Sequence, residues 1–410
     1  MKTSPALSSW IKFSMLNLCI VAFLGCILRY KIVFSLPFLD QKHILHAHSH
    51  FAFSGWITMT LMSLLVDYLH QNGQPHAFSK YKSLLIGNAL AAYGMLLSFP
   101  FQGYGLFSIA FSTLSIVVSY FFMVIFWRDL QRIRRKDSIH FWFKAALVFQ
   151  SVSSLGAFTL AFLMANHINH QNWYLSAVYF FLHFQYNGWF FFACMGLFLS
   201  YLRNLGIPIS ETRNIFLLFV LAAIPAYYLS ALWMPMYRAV YILVVLSAAA
   251  QVIAFFLLVQ FLFRFRKTLS IKKNKTGYIL MILSCTALCI KLLLQLGSTH
   301  PALSQLAFGF RPIVIAYLHL VLLGVITLFL LGYISLHVFP IVHTVARKGI
   351  LLFTAGILLN ELVLMIQGIA GISYEAVPYT NELLLIIAIV LFSAAVLMFT
   401  GCMKTRTSLR

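Results

Sequence analysis

The stretch HAHSHFAFSGWITMTLMSLLVDYL, residues 46–69, opens with three histidines and runs directly into an apolar segment long enough to cross a bilayer. His43 lies just upstream, so four histidines fall within eight residues. Imidazoles are uncommon where lipid is the solvent. The apolar run sets the fold class and the histidines set the functional question.

Segments like this recur along the chain. Of its 410 residues, 62% are hydrophobic and only 9% are charged. Backbone groups in lipid must be satisfied within the segment, and the runs are too long for barrel strands, so the expected fold is an all-α membrane bundle. Residues 1–410 read as one transmembrane helical domain, without a soluble domain, low-complexity segment or obvious repeat. The expected spans are roughly 9–29, 47–69, 80–101, 104–127, 141–164, 172–202, 213–235, 239–265, 277–297, 310–340, 349–371 and 383–402. Residues 13–28 resemble a signal peptide, but no small-residue cleavage site follows, so they are taken as the first helix.

The formal net charge is +21. No basic run is interleaved with aromatics in the manner of a nucleic-acid site, and the bilayer is the expected partner. Of the 29 lysines and arginines, 22 fall at the termini and in the even-numbered loops, and Lys144 and Lys291 fall inside spans. The odd-numbered loops hold only Arg29, Lys31, Lys42, Arg238 and Arg311. This skew puts both termini in the cytoplasm, and the expected location is a bacterial inner membrane. The six cysteines lie in apolar segments without a CxxC pair and read as small hydrophobes.

Orientation converts the histidines into depths. His50 follows Lys42 by eight residues and His319 follows Arg311 by eight, placing each about 12 Å along an entering helix. His183 follows Trp173 by ten, about 15 Å in. Ionisable groups inside a bilayer are functional candidates. Neutral imidazole is a common metal ligand and an axial ligand of haem iron. A haem between two helices needs one histidine from each at matched depth, so His50 and His319 are the expected pair. A lone intramembrane histidine often only hydrogen-bonds a neighbouring helix, and for His183 that reading stays open. His43, His46 and His50 share a helix face that suits a metal at the membrane surface. His48 points nearly the opposite way, and His46 and His48 equally suit the interface. Lys291 and Glu361 lie at similar depths, where a structural ion pair or a proton path would explain them.

Twelve helices with a histidine in the second and another in the tenth resemble subunit I of the haem–copper oxidases, the cytochrome c oxidase and nitric oxide reductase group. HSHFAFSGW resembles the HxHxNxxGW-like segment of short relatives of that family. The resemblance implies a low-spin haem on His50 and His319. Where the family has a second histidine for a high-spin haem, AYLHLVL (316–322) has Tyr317. Where it has adjacent copper histidines, AYYLSA (226–231) has Tyr227 and Tyr228. HFQYN carries His183 at the remaining copper position, followed by Asn187 in place of the family's tyrosine. One imidazole and phenols hold copper poorly, so copper is not expected, although a tyrosinate can ligate ferric haem.

The function expected from this resemblance is electron transfer or haem- and NO-related redox chemistry, with a b-type haem, a degenerate oxygen-reducing centre and a cytochrome or other redox protein as partner. The alternatives are an active terminal oxidase or NO reductase with an unusual centre, and a haem-free proton-coupled transporter or assembly factor.

Overall fold

The computed structural model describes residues 4–135, 137–269, 274–304, 311–339, 343–372, 375 and 377–404, without the side chain of Arg311. All regular secondary structure among the described residues is helical, with no strand. The principal segments are α1 (Pro5–Val33), α2 (Gln41–Gln71), α3 (Ala77–Gln102), α4 (Leu106–Arg132), α5 (Ile139–Ala165) and α6 (171–204). They continue as α7 (Arg213–Ala223, extended by Pro225–Ala231), α8 (Arg238–Arg264), α9 (Lys275–Gly297), α10 (311–337), α11 (Thr344–Ile372) and α12 (Thr380–Lys404). Among the described residues ten helices are long and apolar enough to cross a membrane, or eleven if the bent α7 counts as one span. The chain is an integral membrane protein.

Local chemistry sets the ends. Ser4 caps α1 by accepting from the Ala6 amide, and Pro5 sits where its missing N–H costs nothing. Asp40 caps α2 by accepting from the amides of Lys42 and His43 at 2.8 and 2.9 Å. Gly103 ends α3 at φ +57°, and a Cβ there would stand 2.5 Å from His43 Nε2. The expected continuous span 213–235 is instead broken. Pro225 has no N–H to continue the helix, and the chain bends 47° into a 3-10 turn. The expected ends of the tenth span, 310 and 340, lie outside the described residues.

The chain forms two compact units. One comprises residues 1–133, 274–281 and 327–410, the other 134–273 and 282–326. In the first, α11 and α12 approach closely through small residues. A Cβ on Gly401 would stand 2.2 Å from the Ala346 nitrogen, and one on Gly349 2.6 Å from the Met398 nitrogen. In the second, Gly156 of α5 lies against the α6 backbone, its imagined Cβ 2.6 Å from the Ala177 carbonyl oxygen.

α2 is the most enclosed span, 94% buried over its most apolar window, against 17% for α4. A helix apolar around its whole circumference suits such a position. Three helices carry a π-helical insert: Ala52–Thr58 in α2, Phe184–Phe190 in α6 and Leu320–Thr327 in α10.

Candidate functional site

Each π segment starts within two residues of an intramembrane histidine: His50, His183 or His319. π turns are rare and concentrate where helices do chemistry. They open the backbone ladder and leave carbonyls to be satisfied from elsewhere.

In the first unit, the His43, His46 and His50 face of α2 lies on the end of α3 and the turn after it. The His50 ring stacks on Phe99 with centroids 4.5 Å apart, and its Nε2 meets the Tyr104 hydroxyl at 3.3 Å. His46 is edge-on to Tyr104 at 4.6 Å. His48 faces α1, where its Nδ1–H donates to the Val21 carbonyl at 3.1 Å. A carbonyl only accepts, so this bond fixes the His48 tautomer. The Ser54 hydroxyl donates to His50's own carbonyl at 2.7 Å. The π turn is held from neighbouring helices by Asn88 Nδ2 on the Ser54 carbonyl (3.1 Å) and Asn17 Nδ2 on the Gly55 carbonyl (2.6 Å).

In the second unit, His319 Nδ1–H donates to the Ile315 carbonyl one turn back, at 2.8 Å. That is the arrangement by which proteins fix a ligating imidazole, since a proton on Nδ1 leaves the lone pair on Nε2. His183 is arranged in the opposite sense. Its Nε2–H donates to the Ala223 carbonyl at 2.8 Å, and its Nδ1 accepts from the Asn187 amide at 3.1 Å. The Ala223 carbonyl lies at the break that Pro225 makes in α7. Both His183 nitrogens are therefore engaged within the unit, the fate left open by the sequence for a lone intramembrane histidine.

The tyrosines divide. Tyr227 lies beside His183, with ring centroids 6.2 Å apart, and donates its hydroxyl to the Ser176 carbonyl at 3.1 Å. Tyr228 is 43% exposed and packs on Tyr227. Tyr317 stands edge-on to Tyr186 with ring centroids 6.4 Å apart. A cavity of about 330 Å³ lies beside Tyr227, bounded by Leu155, Gly156, Leu163, Trp173 and Phe180. Lys291 is buried in the second unit and Glu361 lies in the first, beside the Asn360 amide. Among the described residues neither makes an ion pair within its own unit.

No family model matches this chain, and no curated protein matches its sequence.

Sequence reasoning missed two buried polar groups of the first unit. Asp67, near the end of α2, takes a hydrogen bond from Gln71 and meets His337 Nε2 at 3.1 Å. Asp129, near the end of α4, receives Lys80 at 2.6 Å, Tyr81 at 3.0 Å and Arg132 at 3.2 Å. For Asp67 the available signal was an aspartate inside an apolar run. Asp129 lies in the charged cluster RDLQRIRRKD, where nothing in the sequence sets it apart. The recurrence of the histidine turn was also missed. HFAFSGW at 50–56 matches HFQYNGW at 183–189 in four of seven positions, and HLVLLGV at 319–325 keeps the histidine and the glycine.

Proposed function

We propose that this chain is a haem-binding membrane protein of the haem–copper-oxidase subunit I type, working in electron transfer or haem- and NO-related redox chemistry. It carries one b-type haem with His50 and His319 as axial ligands, crosses a bacterial inner membrane twelve times, and keeps both termini in the cytoplasm. A cytochrome or another redox protein is its partner. The observation that carries the reading is that His50 and His319 each lead into a π turn, with the His319 proton placed on Nδ1 by the Ile315 carbonyl.

The donor set fits the group. His319 presents the protonation pattern of a ligating imidazole. His50 Nε2 is held only by a long contact to the Tyr104 hydroxyl, one that a metal bond outcompetes. The pairing of the two rests on their matched depth in the sequence. Bound haem would supply reversible one-electron storage. Phe99 stacks on the His50 ring and restricts its rotation, and the Ile315 carbonyl does the same for His319. At the positions where the family builds its copper site, His183 has both nitrogens committed, Tyr227 donates to Ser176, and Tyr317 packs edge-on to Tyr186. This supports a centre without copper, because copper wants several nitrogen or sulfur donors in fixed geometry.

The test is the optical spectrum of protein purified with adequate haem supply, with a pyridine haemochrome assay, metal analysis and an oxygen electrode. A six-coordinate low-spin b-type spectrum, no stoichiometric copper and negligible oxygen uptake are expected. A colourless, folded preparation overturns the reading in favour of a haem-free transporter or assembly factor. One copper per chain with cyanide-sensitive oxygen uptake promotes an active terminal oxidase.

A further inference from the structure

The histidine turn recurs three times in the sequence, and in the first and third copies the helix in front supplies a donor to a carbonyl of the π segment. Spacings of 133 and 136 residues separate His50, His183 and His319. In the first copy, Asn17 of α1 donates to the Gly55 carbonyl at 2.6 Å. In the third, the Ser284 hydroxyl of α9 donates to the Val325 carbonyl at 2.7 Å. Asn17 and Ser284 are 267 residues apart, while the histidines they accompany are 269 apart. In the middle copy the two helices are joined differently, by Gln185 Nε2 donating to the Ser153 hydroxyl at 2.8 Å.

A π turn holds one more residue than the α-helix it replaces. Each residue turns a helix by about 100°, so removing the insert would swing everything on its N-terminal side, the histidine included, by about that angle. The insert also leaves buried carbonyls short of donors, and an unsatisfied buried carbonyl is costly. A side chain that donates to that carbonyl favours the π register over the α register. Asn17 is fully buried, and its amide is oriented because its oxygen accepts from the Tyr93 hydroxyl at 2.8 Å. Ser284 is buried as well.

We propose that Asn17 and Ser284 are positioning residues, which hold the π register and thereby set the direction in which His50 and His319 present their rings. The assignment of those rings to haem rests on the function proposed above. The register itself does not.

Two readouts on the full-length protein keep these apart: amide exchange of residues 320–327, and the low-spin haem signal followed by electron paramagnetic resonance and midpoint potential. Ser284→Ala is expected to speed exchange in 320–327 by about tenfold, the effect of one net hydrogen bond. It should shift the resonance and the potential at unchanged haem content, and Ser284→Thr should restore all three. Unchanged exchange in Ser284→Ala overturns the positioning role, whatever the haem does. Faster exchange in a protein that never binds haem supports the register role and overturns the haem assignment instead. If Ser284→Ala does not fold, Asn17→Ser read over residues 52–58 decides the same question, with faster exchange expected and unchanged exchange overturning the role.

Discussion

The His50 turn of α2 and the His183 turn of α6 share the pattern H-F-x-aromatic-x-G-W, and both continue as π helix. Among their differences is the fourth residue after the histidine. In α2 that residue is Ser54, whose hydroxyl returns to the His50 carbonyl and leaves the ring alone. In α6 it is Asn187, whose amide reaches His183 Nδ1. A neutral imidazole that accepts at Nδ1 carries its proton on Nε2, and for His183 that proton is given to the Ala223 carbonyl. Asn187 inside the motif and the Ala223 carbonyl outside it together lock His183, whereas the His50 ring meets a phenol at longer range. Like motifs therefore need not have like duties. The tautomer decides, and neighbours outside the motif fix the tautomer.

The largest effect that would break this comparison is loss of the chromophore. His50→Ala and His319→Ala are each expected to abolish the low-spin haem signal completely, while His183→Ala keeps it. His183→Ala should instead lower stability by about 1–3 kcal/mol, since it leaves the Ala223 carbonyl and the Asn187 amide without their partner. Spectra and thermal melts of the three variants check this. Loss of haem in His183→Ala with retention in His50→Ala would reverse the assignment, and loss in His48→Ala alone would move the ligand by two residues.

Exchanging the differing residue sharpens the comparison. Ser54→Asn gives α2 the lock of α6. It is expected to force the proton onto His50 Nε2 and to weaken haem binding about tenfold, roughly one hydrogen bond. Asn187→Ser should release His183 Nδ1 at a cost of about 1 kcal/mol. Haem titration and the thermal midpoint are the measurements. Unchanged affinity in Ser54→Asn would show that the fourth residue does not govern the tautomer.

The glycines of the turns should rank by their room. A Cβ at Gly188 would stand 2.5 Å from Phe149 Cβ, whereas one at Gly324 would stand 3.2 Å from the Ala287 Cβ. Gly188→Ala is expected to cost about 1–3 kcal/mol through overpacking, and Gly324→Ala less than that. Equal thermal midpoints for the two would contradict the geometry.

The smallest effect belongs to the start of α2. The backbone amide of His43, and after it that of Lys42, holds the exposed Asp40 carboxyl below the usual carboxylate range. A lowered folded-state pKa contributes stability that is present above the unfolded value, about 3.9, and lost as pH falls through the folded value. Asp40→Asn keeps a good cap without a titrating group. Its melting temperature should therefore vary less than wild type below about pH 4, with the two curves parallel at neutral pH.

The sequence by itself determined the helical membrane class and the approximate places of the helices among the described residues, because apolar length and charged turns are local properties read off the chain. The observed helices overlap the expected spans, with the start of α2 earlier (Gln41 against 47), α7 broken, and the ends of α10 outside the described residues. Pro225 was visible, but a proline alone does not tell whether a span kinks, breaks or tolerates the ring. The break became legible with the Ala223 carbonyl received by His183. His50, His183 and His319 were all found from sequence, since an imidazole in an apolar run stands out by composition. What each ring nitrogen does was not legible, because the partners that fix it come from elsewhere. Tyr104 lies 54 residues from His50, Ala223 lies 40 from His183, and Val21 lies 27 from His48. The π inserts were hidden for the same reason. A π turn is stabilised by donors such as Asn17 and Ser284, 38 and 41 residues from the carbonyls they serve, and packing alone brings those groups together.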